Sequence, residues 1–222
     1  MVMVQSILPK FFGVNWSDLR QSGRLTYNST DRSRLVVQQE NFQQFGGENL
    51  KKMKVSDAIR TKRAVRKFQD KALSEEAVLT ILNAGRRAQS SKNTQPWQFI
   101  AIQNKETLNA LSQLGTYAGH LAGAALGAVI LTPDPAQRFS IMFDAGQAAA
   151  YMQLAAWELG IGSCLATVYE PERARQLLGF PEDLHARIAL SFGYPQDPQA
   201  LSDPPARGGR MPLDDLVHWE RW

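Results

Sequence analysis

A chain of 222 residues, 44% of them hydrophobic, has the length and apolar content for one substantial core, so one domain of helices and strands is expected. Its 25 Lys and Arg against 21 Asp and Glu leave a formal charge of +4. Those cations lie mostly singly, which favours small anionic ligands over nucleic acid. A single cysteine, Cys164, excludes an internal disulfide, and no Cys or His pair stands at metal-ligand spacing; a reducing cytoplasm is the expected compartment.

Residues 1–52 are rich in Gln, Asn, Ser and Arg, and their apolar residues follow no period. They read as an extension. Because it carries Phe11, Phe12, Trp16 and Phe42, the extension is expected to pack as an arm on the body or on a second subunit. Residues 1–12 lack a charged leader before an apolar core and do not read as a signal peptide. The most apolar run, 120–132, is shorter than the roughly 20 residues that span a bilayer.

From Val55 the pattern becomes regular and predicts a short helix through Ala58 and Ile59 that ends near Arg63. Ser74 is the expected cap of a second helix, with Glu75 and Glu76 at the positive end of its dipole and Val78, Ile81, Leu82 and Gly85 on its buried face. A buried strand over 97–103, a helix over 105–114 and a strand over 126–132 follow. The longest helix is expected over 136–159, stopped by Gly160, with an Ala-rich centre that admits close approach by another helix. Then come a short strand or edge segment over 163–168, a helix opened by Pro171 and closed by Gly179, and a strand in which Ala186, Ile188, Leu190 and Phe192 alternate. The tail from Tyr194 is rich in Pro and Gly and reads as extended. Glycines recur at 115, 119, 123 and 127, which fits either a tightly packed helix face or loop chemistry.

No Gly-x-Gly-x-x-Gly follows a strand and no Gly-Lys-Ser or Gly-Lys-Thr loop occurs, which argues against a dinucleotide-binding Rossmann unit and a P-loop. His120, His185 and His218 stand alone and read as structural. The run Arg60-Thr61-Lys62-Arg63-Ala64-Val65-Arg66-Lys67 places five cations in eight residues. By itself it fits a solvated basic face or an anion site, since Arg forks match phosphate oxygens. The run Gln89-Ser90-Ser91-Lys92-Asn93-Thr94-Gln95-Pro96-Trp97 offers hydroxyls, turn amides and an amide side chain ahead of a strand. It fits an ordinary connection or a loop that hydrogen-bonds the edge of a heterocycle.

Taken in order, the two segments resemble the nitroreductase family of FMN-dependent oxidoreductases, which carries an Arg-Arg-Ser-x-Arg-like element followed by Pro-Ser-Ser-x-Asn-x-Gln-Pro-Trp. The likeness continues through Asp144, Leu159-Gly160-Ile161-Gly162-Ser163-Cys164, Leu178-Gly179-Phe180-Pro181-Glu182, Phe192-Gly193-Tyr194-Pro195 and Arg210-Met211-Pro212-Leu213, and so covers roughly 53–222. The resemblance implies an α+β, three-layer fold with a central mixed sheet flanked by helices, in an intertwined homodimer with FMN at the interface and the tail from 194 crossing the partner.

The same resemblance assigns Lys62, Arg63 and Arg210 to the FMN phosphate, assisted by backbone near Ala64 and Gly208. Arg66 matches a position at the pyrimidine edge of the flavin, where a cation stabilises the charge that reduction places at N1 and O2. Ser90, Ser91 and Asn93 match a loop that reaches the flavin of the opposite subunit. Cys164, Leu165, Ala166 and Thr167 match the strand edge over the flavin, with Cys164 a packing residue and not a nucleophile. The implied reaction is ping-pong: NADH or NADPH gives hydride to flavin N5, and an electron-poor acceptor such as a nitroaromatic or quinone takes it. Relatives in the superfamily also dehalogenate, fragment flavin or dehydrogenate, and a non-catalytic flavin carrier is a further alternative. Two departures stand out: Ala64 replaces the family's Ser, and Lys62 keeps a charge without the Arg fork. Phe139, Phe143 and Tyr151 read either as core packing along the long helix or as an aromatic wall over the flavin.

Overall fold

A computed structural model describes residues 53–201 and 209–222; the 1–52 extension, its expected packing as an arm, and Gly208 lie outside the described residues. The first helix, α1 (Val55–Thr61), ends with Lys62 at its C-cap. Ser74 caps α2 (Glu75–Arg86), its hydroxyl accepting the Ala77 N–H at 3.2 Å. The chain continues through β1 (Gln98–Ile102), α3 (Lys105–Ser112), β2 (Leu126–Thr132), α4 (Ser140–Glu158), β3 (Gly162–Thr167), α5 (Pro171–Leu178) and β4 (His185–Gly193). Gly160 at φ 71° and Gly179 at φ 68° follow α4 and α5 in the left-handed region expected of them.

The four strands form one sheet in the order β1-β2-β4-β3, and every neighbouring pair is antiparallel. Among the described residues, the parallel part of the expected mixed sheet is a single bridge between Ala64, outside the named strands, and Ser163 of β3. On one face, α2 and α4 bury Ile81, Ala145, Ala148, Ala149 and Met152 against Leu126, Ile130 and Leu190. On the other, Leu108, Leu111 and Ala174 of α3 and α5 cover Val129 and Ala189. The result is three layers. Small residues set the spacing of the first face: a Cβ on Gly85 would lie 2.8 Å from Met152 Cγ, so α2 sits closer to α4 than any side chain at that position allows.

Several expected features shift. The strand over 97–103 was expected to be buried, but β1 is an edge strand with one buried residue, Ile102, because only β2 pairs with it. The long helix starts at Ser140 and not near Ala136, since Asp134 draws the chain into a turn: its carbonyl accepts the Gln137 N–H and its carboxylate the Ala136 N–H. The glycines at 115, 119, 123 and 127 do not share a helix face. Gly127 belongs to β2, where a Cβ would meet Leu108 Cδ2 at 2.6 Å, and the other three sit in turns and a single 3-10 turn. The tail contains two short 3-10 turns, Pro198–Leu201 and Leu213–Asp215. Among the described residues no helix is long and apolar enough to cross a membrane.

Candidate functional site

The cationic stretch 62–66 runs along the free side of β3. Val65 N–H donates to the Ser163 carbonyl at 2.9 Å, Gln69 N–H to Tyr194 at 2.8 Å and Gln196 N–H to Lys67 at 3.0 Å. These bonds fix the backbone, and Val65 anchors it from within by packing with Ala58 and Trp157. Thr61 completes the anchor, its hydroxyl accepting the Trp157 Nε1–H at 2.9 Å. With Val65 pointing inward, its neighbours Ala64 and Arg66 are exposed, as alternation in extended chain requires.

Charge at this edge is uncompensated. Among the described residues no carboxylate pairs with Lys62, Arg63 or Arg66, and Arg63 Nε is buried without a hydrogen-bond partner. Burial pulls the Lys62 ammonium below the usual lysine value, with the nearby Cys164 acting in the opposite direction. An orphaned guanidinium N–H beside a half-buried ammonium is a donor set for an anion.

Beneath the cations lies a small polar cluster. Cys164 is buried, and burial pushes its thiol up from the ordinary value, against the pull of Arg66, Lys62 and a backbone hydrogen bond at Leu165. His120 is also buried, its Nδ1 2.7 Å from Ser191 Oγ. Burial, and next the Arg66 guanidinium, hold the His120 imidazole below its ordinary value, with a backbone hydrogen bond at Leu165 opposing them. Of the other two histidines, His185 opens β4, and His218 lies against Trp222 with ring centroids 3.9 Å apart and the rings tilted by 40°. Along β3 itself, Leu165 and Thr167 project outward while Cys164 and Ala166 face the core.

The second segment folds at the other side of the molecule. Ser91–Asn93 forms a 3-10 turn ahead of β1, whereas the 62–66 stretch lies beyond β3, so the two occupy opposite edges of the sheet. Four strand spacings of about 4.8 Å separate β1 from the 62–66 stretch, roughly 19 Å. One chain therefore does not bring together Ser90, Ser91 and Asn93 with Lys62, Arg63, Ala64 and Arg66. Arg210 lies on the exposed tail.

Sequence reading missed what holds the second segment: Asp144 of α4 accepts the Ser91 N–H at 3.0 Å, and Arg138 Nη2 donates to Thr94 Oγ1 at 2.8 Å. The available signal was one acid in an otherwise apolar stretch of helix. Phe139 and Phe143 are not core residues; both are exposed and meet edge to face at 5.8 Å. Tyr151 is half exposed on the same helix.

A family model described as the nitroreductase family matches residues 59–119 and 115–194, more than half of the chain. The chain belongs to the nitroreductase family. A nitroreductase relative from Archaeoglobus fulgidus, provisionally named an NADH dehydrogenase/NAD(P)H nitroreductase, is 32% identical over 171 residues, covering 74% of this chain and 96% of its own. The NADPH-flavin oxidoreductase of Vibrio harveyi is 26% identical over 179 residues, covering 73% and 72%. Among solved structures, an FMN-dependent nitroreductase of Clostridium difficile matches with a TM-score of 0.64 at 28% identity, over 74% of this chain and 98% of that one. The nitroreductase fold expected from the two motifs is therefore the fold observed.

Proposed function

We propose that this nitroreductase-family oxidoreductase binds FMN between two copies of the chain and uses it to pass electrons from NADH or NADPH to an electron-poor small molecule. The observation that carries the reading is the unpartnered Arg63 Nε beside Lys62, a donor set without an internal anion. Lys62 and Arg63 hold the phosphate with the backbone at Ala64, and Arg210 and the backbone at Gly208 join from the tail. The relatives' names, a flavin oxidoreductase and an FMN-dependent nitroreductase, support the choice of anion.

Separation of the two motifs across the sheet supports a homodimer: a site that uses both Arg63 and Ser91 needs two chains. Exposed Met211, Leu213, Leu216 and Trp219 on the tail, and Phe139 and Phe143 on α4, supply apolar surface for that contact. Leu165 and Thr167 line the flavin face of β3 together with the backbone of Cys164 and Ala166, and Ser90, Ser91 and Asn93 approach from the partner. When bound, the flavin supplies the redox chemistry, taking hydride from NADH or NADPH and giving it to an acceptor such as a nitroaromatic or quinone in alternate half-reactions. The protein's own part is orientation and charge.

Purified protein incubated with FMN is expected to retain a yellow chromophore through gel filtration at the mass of a dimer. Anaerobic NADPH or NADH is expected to bleach it, and a nitroaromatic or quinone to restore it. A colourless protein after incubation, or a monomer that binds FMN fully, would count against the proposal.

Arg66 has a separate role, because it is exposed on the same edge and faces His120 and Cys164. A cation at the flavin's pyrimidine edge favours the reduced, more negative cofactor. Arg66→Ala is expected to lower the midpoint potential by about 30 mV or more, the equivalent of a tenfold change for a two-electron couple. Equilibration with a reference dye measures it. FMN affinity should change less than in Arg63 variants; equal losses of affinity would remove the distinction.

A further inference from the structure

The 90–95 loop holds a shape that its residues do not favour. Lys92, Asn93 and Gln95 have φ of 53°, 54° and 46°, in the left-handed region that residues with a Cβ avoid. Asn tolerates that region; Lys and Gln have no such preference. Inside the loop, Gln95 N–H donates to Ser90 Oγ at 2.9 Å, Asn93 N–H to the Ser90 carbonyl at 3.0 Å, Thr94 N–H to the Ser91 carbonyl at 3.1 Å and Gln95 Nε2 to Asn93 Oδ1 at 3.2 Å. Two more come from outside: Asp144 Oδ1 accepts the Ser91 N–H, and Arg138 Nη2 donates to Thr94 Oγ1.

Asp144 is an unusual residue to find there. It is 3% exposed, its second oxygen has no hydrogen-bond partner among the described residues, and the nearest cation, Arg138 Nη2, lies 3.9 Å away. A buried, incompletely paired carboxylate is a poor means of stabilising a fold, because desolvation offsets most of its attraction. It is a good means of fixing one amide, since a hydrogen bond to an ionised acceptor is about twice as strong as a neutral one. Arg138 spans both partners, with one nitrogen shared between Thr94 of the loop and the carboxylate.

We propose that Asp144, assisted by Arg138, is a positioning residue that sets the 90–95 loop in its cofactor-binding shape. The inference rests on the reading that Ser90, Ser91 and Asn93 contact FMN, while the tether itself exists in each chain without cofactor. Asp144 sits on the second turn of α4, which packs against α2 through buried Ala145, Ala148 and Met152. The loop's own turn bonds give it a local shape, and the bond from Asp144 ties that shape to the longest helix of the described residues.

Hydrogen exchange of the cofactor-free protein, read on peptides that cover 88–97, tests the tether, and FMN titration of the same proteins tests its purpose. Asp144→Ala is expected to speed exchange in those peptides at least tenfold, with the peptides of β2, β4 and the centre of α4 unchanged, and to weaken FMN binding about tenfold or more. Asp144→Asn retains an oxygen acceptor and should recover most of both; Arg138→Ala should give a smaller loss of each. With saturating FMN, turnover of the Asp144 variants should approach that of the unaltered protein. Unchanged loop exchange in Asp144→Ala overturns the tether, and so does loosening spread equally through the whole domain. Faster loop exchange with unaltered FMN affinity overturns the positioning role. Failure of the unaltered protein to bind FMN instead overturns the functional reading, and the exchange data then still decide the tether.

Discussion

Arg63→Ala is expected to weaken FMN binding about 100-fold, because a forked, charge-assisted pair is worth about 3 kcal/mol and each 1.4 kcal/mol is tenfold. Three features of the edge make the loss large. Arg63 Nε is buried with no hydrogen-bond partner among the described residues, so it has a donor to offer an anion. Lys62, at the end of α1, is held below its ordinary pKa by burial; alone it offers a point charge without a fork. Ala64 adds no hydroxyl where the family's motif has Ser. Arg63→Lys should recover part of the loss, about tenfold, since it restores charge but not the planar pair of donors. Titration of flavin fluorescence gives the affinities. Thermal stability of the cofactor-free variants should be unchanged or slightly raised, because removing an unpaired cation relieves repulsion within the cluster. A large fall in stability without FMN would show that Arg63 serves the fold instead.

The second large effect is expected from a residue that carries no chemistry. A Cβ on Gly162 would lie 2.6, 2.7 and 2.8 Å from Val65 Cβ, Cγ1 and Cγ2. Val65 is unable to give way easily: its N–H is bonded to Ser163, and its side chain is packed on Trp157 and Ala58. Gly162→Ala must therefore push the cationic stretch off the edge of β3 or distort the strand, at a cost of about 1–3 kcal/mol. The expected result is a Tm lower by roughly 3–10 °C together with loss of FMN binding, although the substituted residue touches no ligand. Val65→Ala in the same protein removes two of the three close atoms and should restore part of both. A double-mutant cycle measures that coupling. If Gly162→Ala lowers stability and leaves FMN affinity intact, the stretch tolerates displacement and the site is less dependent on β3 than argued above.

Which features were legible in the sequence follows from how local their causes are. Ser74, Gly160, Pro171 and Gly179 mark helix ends through hydrogen bonds and dihedral angles within a few residues, and all four act where expected. The strand over 126–132 was legible because it is buried on both faces and continuously apolar. Burial of β1 was misjudged because edge position depends on which strand comes to lie beside it, and no residue of β1 encodes that. Likewise Phe139 and Phe143 follow an apolar pattern, but their helix turns that face outward. The two ligand motifs were legible as residue types in order. Their placement at opposite edges of the sheet was not, nor was the bond from Asp144 to Ser91 across 53 positions.

The seam between the cationic stretch and β3 also fixes when the site comes into being. Lys62 and Arg63 are synthesised early, yet the chain they rest against arrives with Ser163 and then with Tyr194 and Gln196, about 100 to 130 residues later. Such distant closures are slow, because loop entropy must be overcome before any contact rewards it. On the ribosome, where chains lengthen by about 5–20 residues each second, the first half of the proposed phosphate site therefore waits several seconds for its backing. Cofactor capture belongs to the finished chain, and a polypeptide stalled before residue 163 should leave its arginines without a shaped place for the anion.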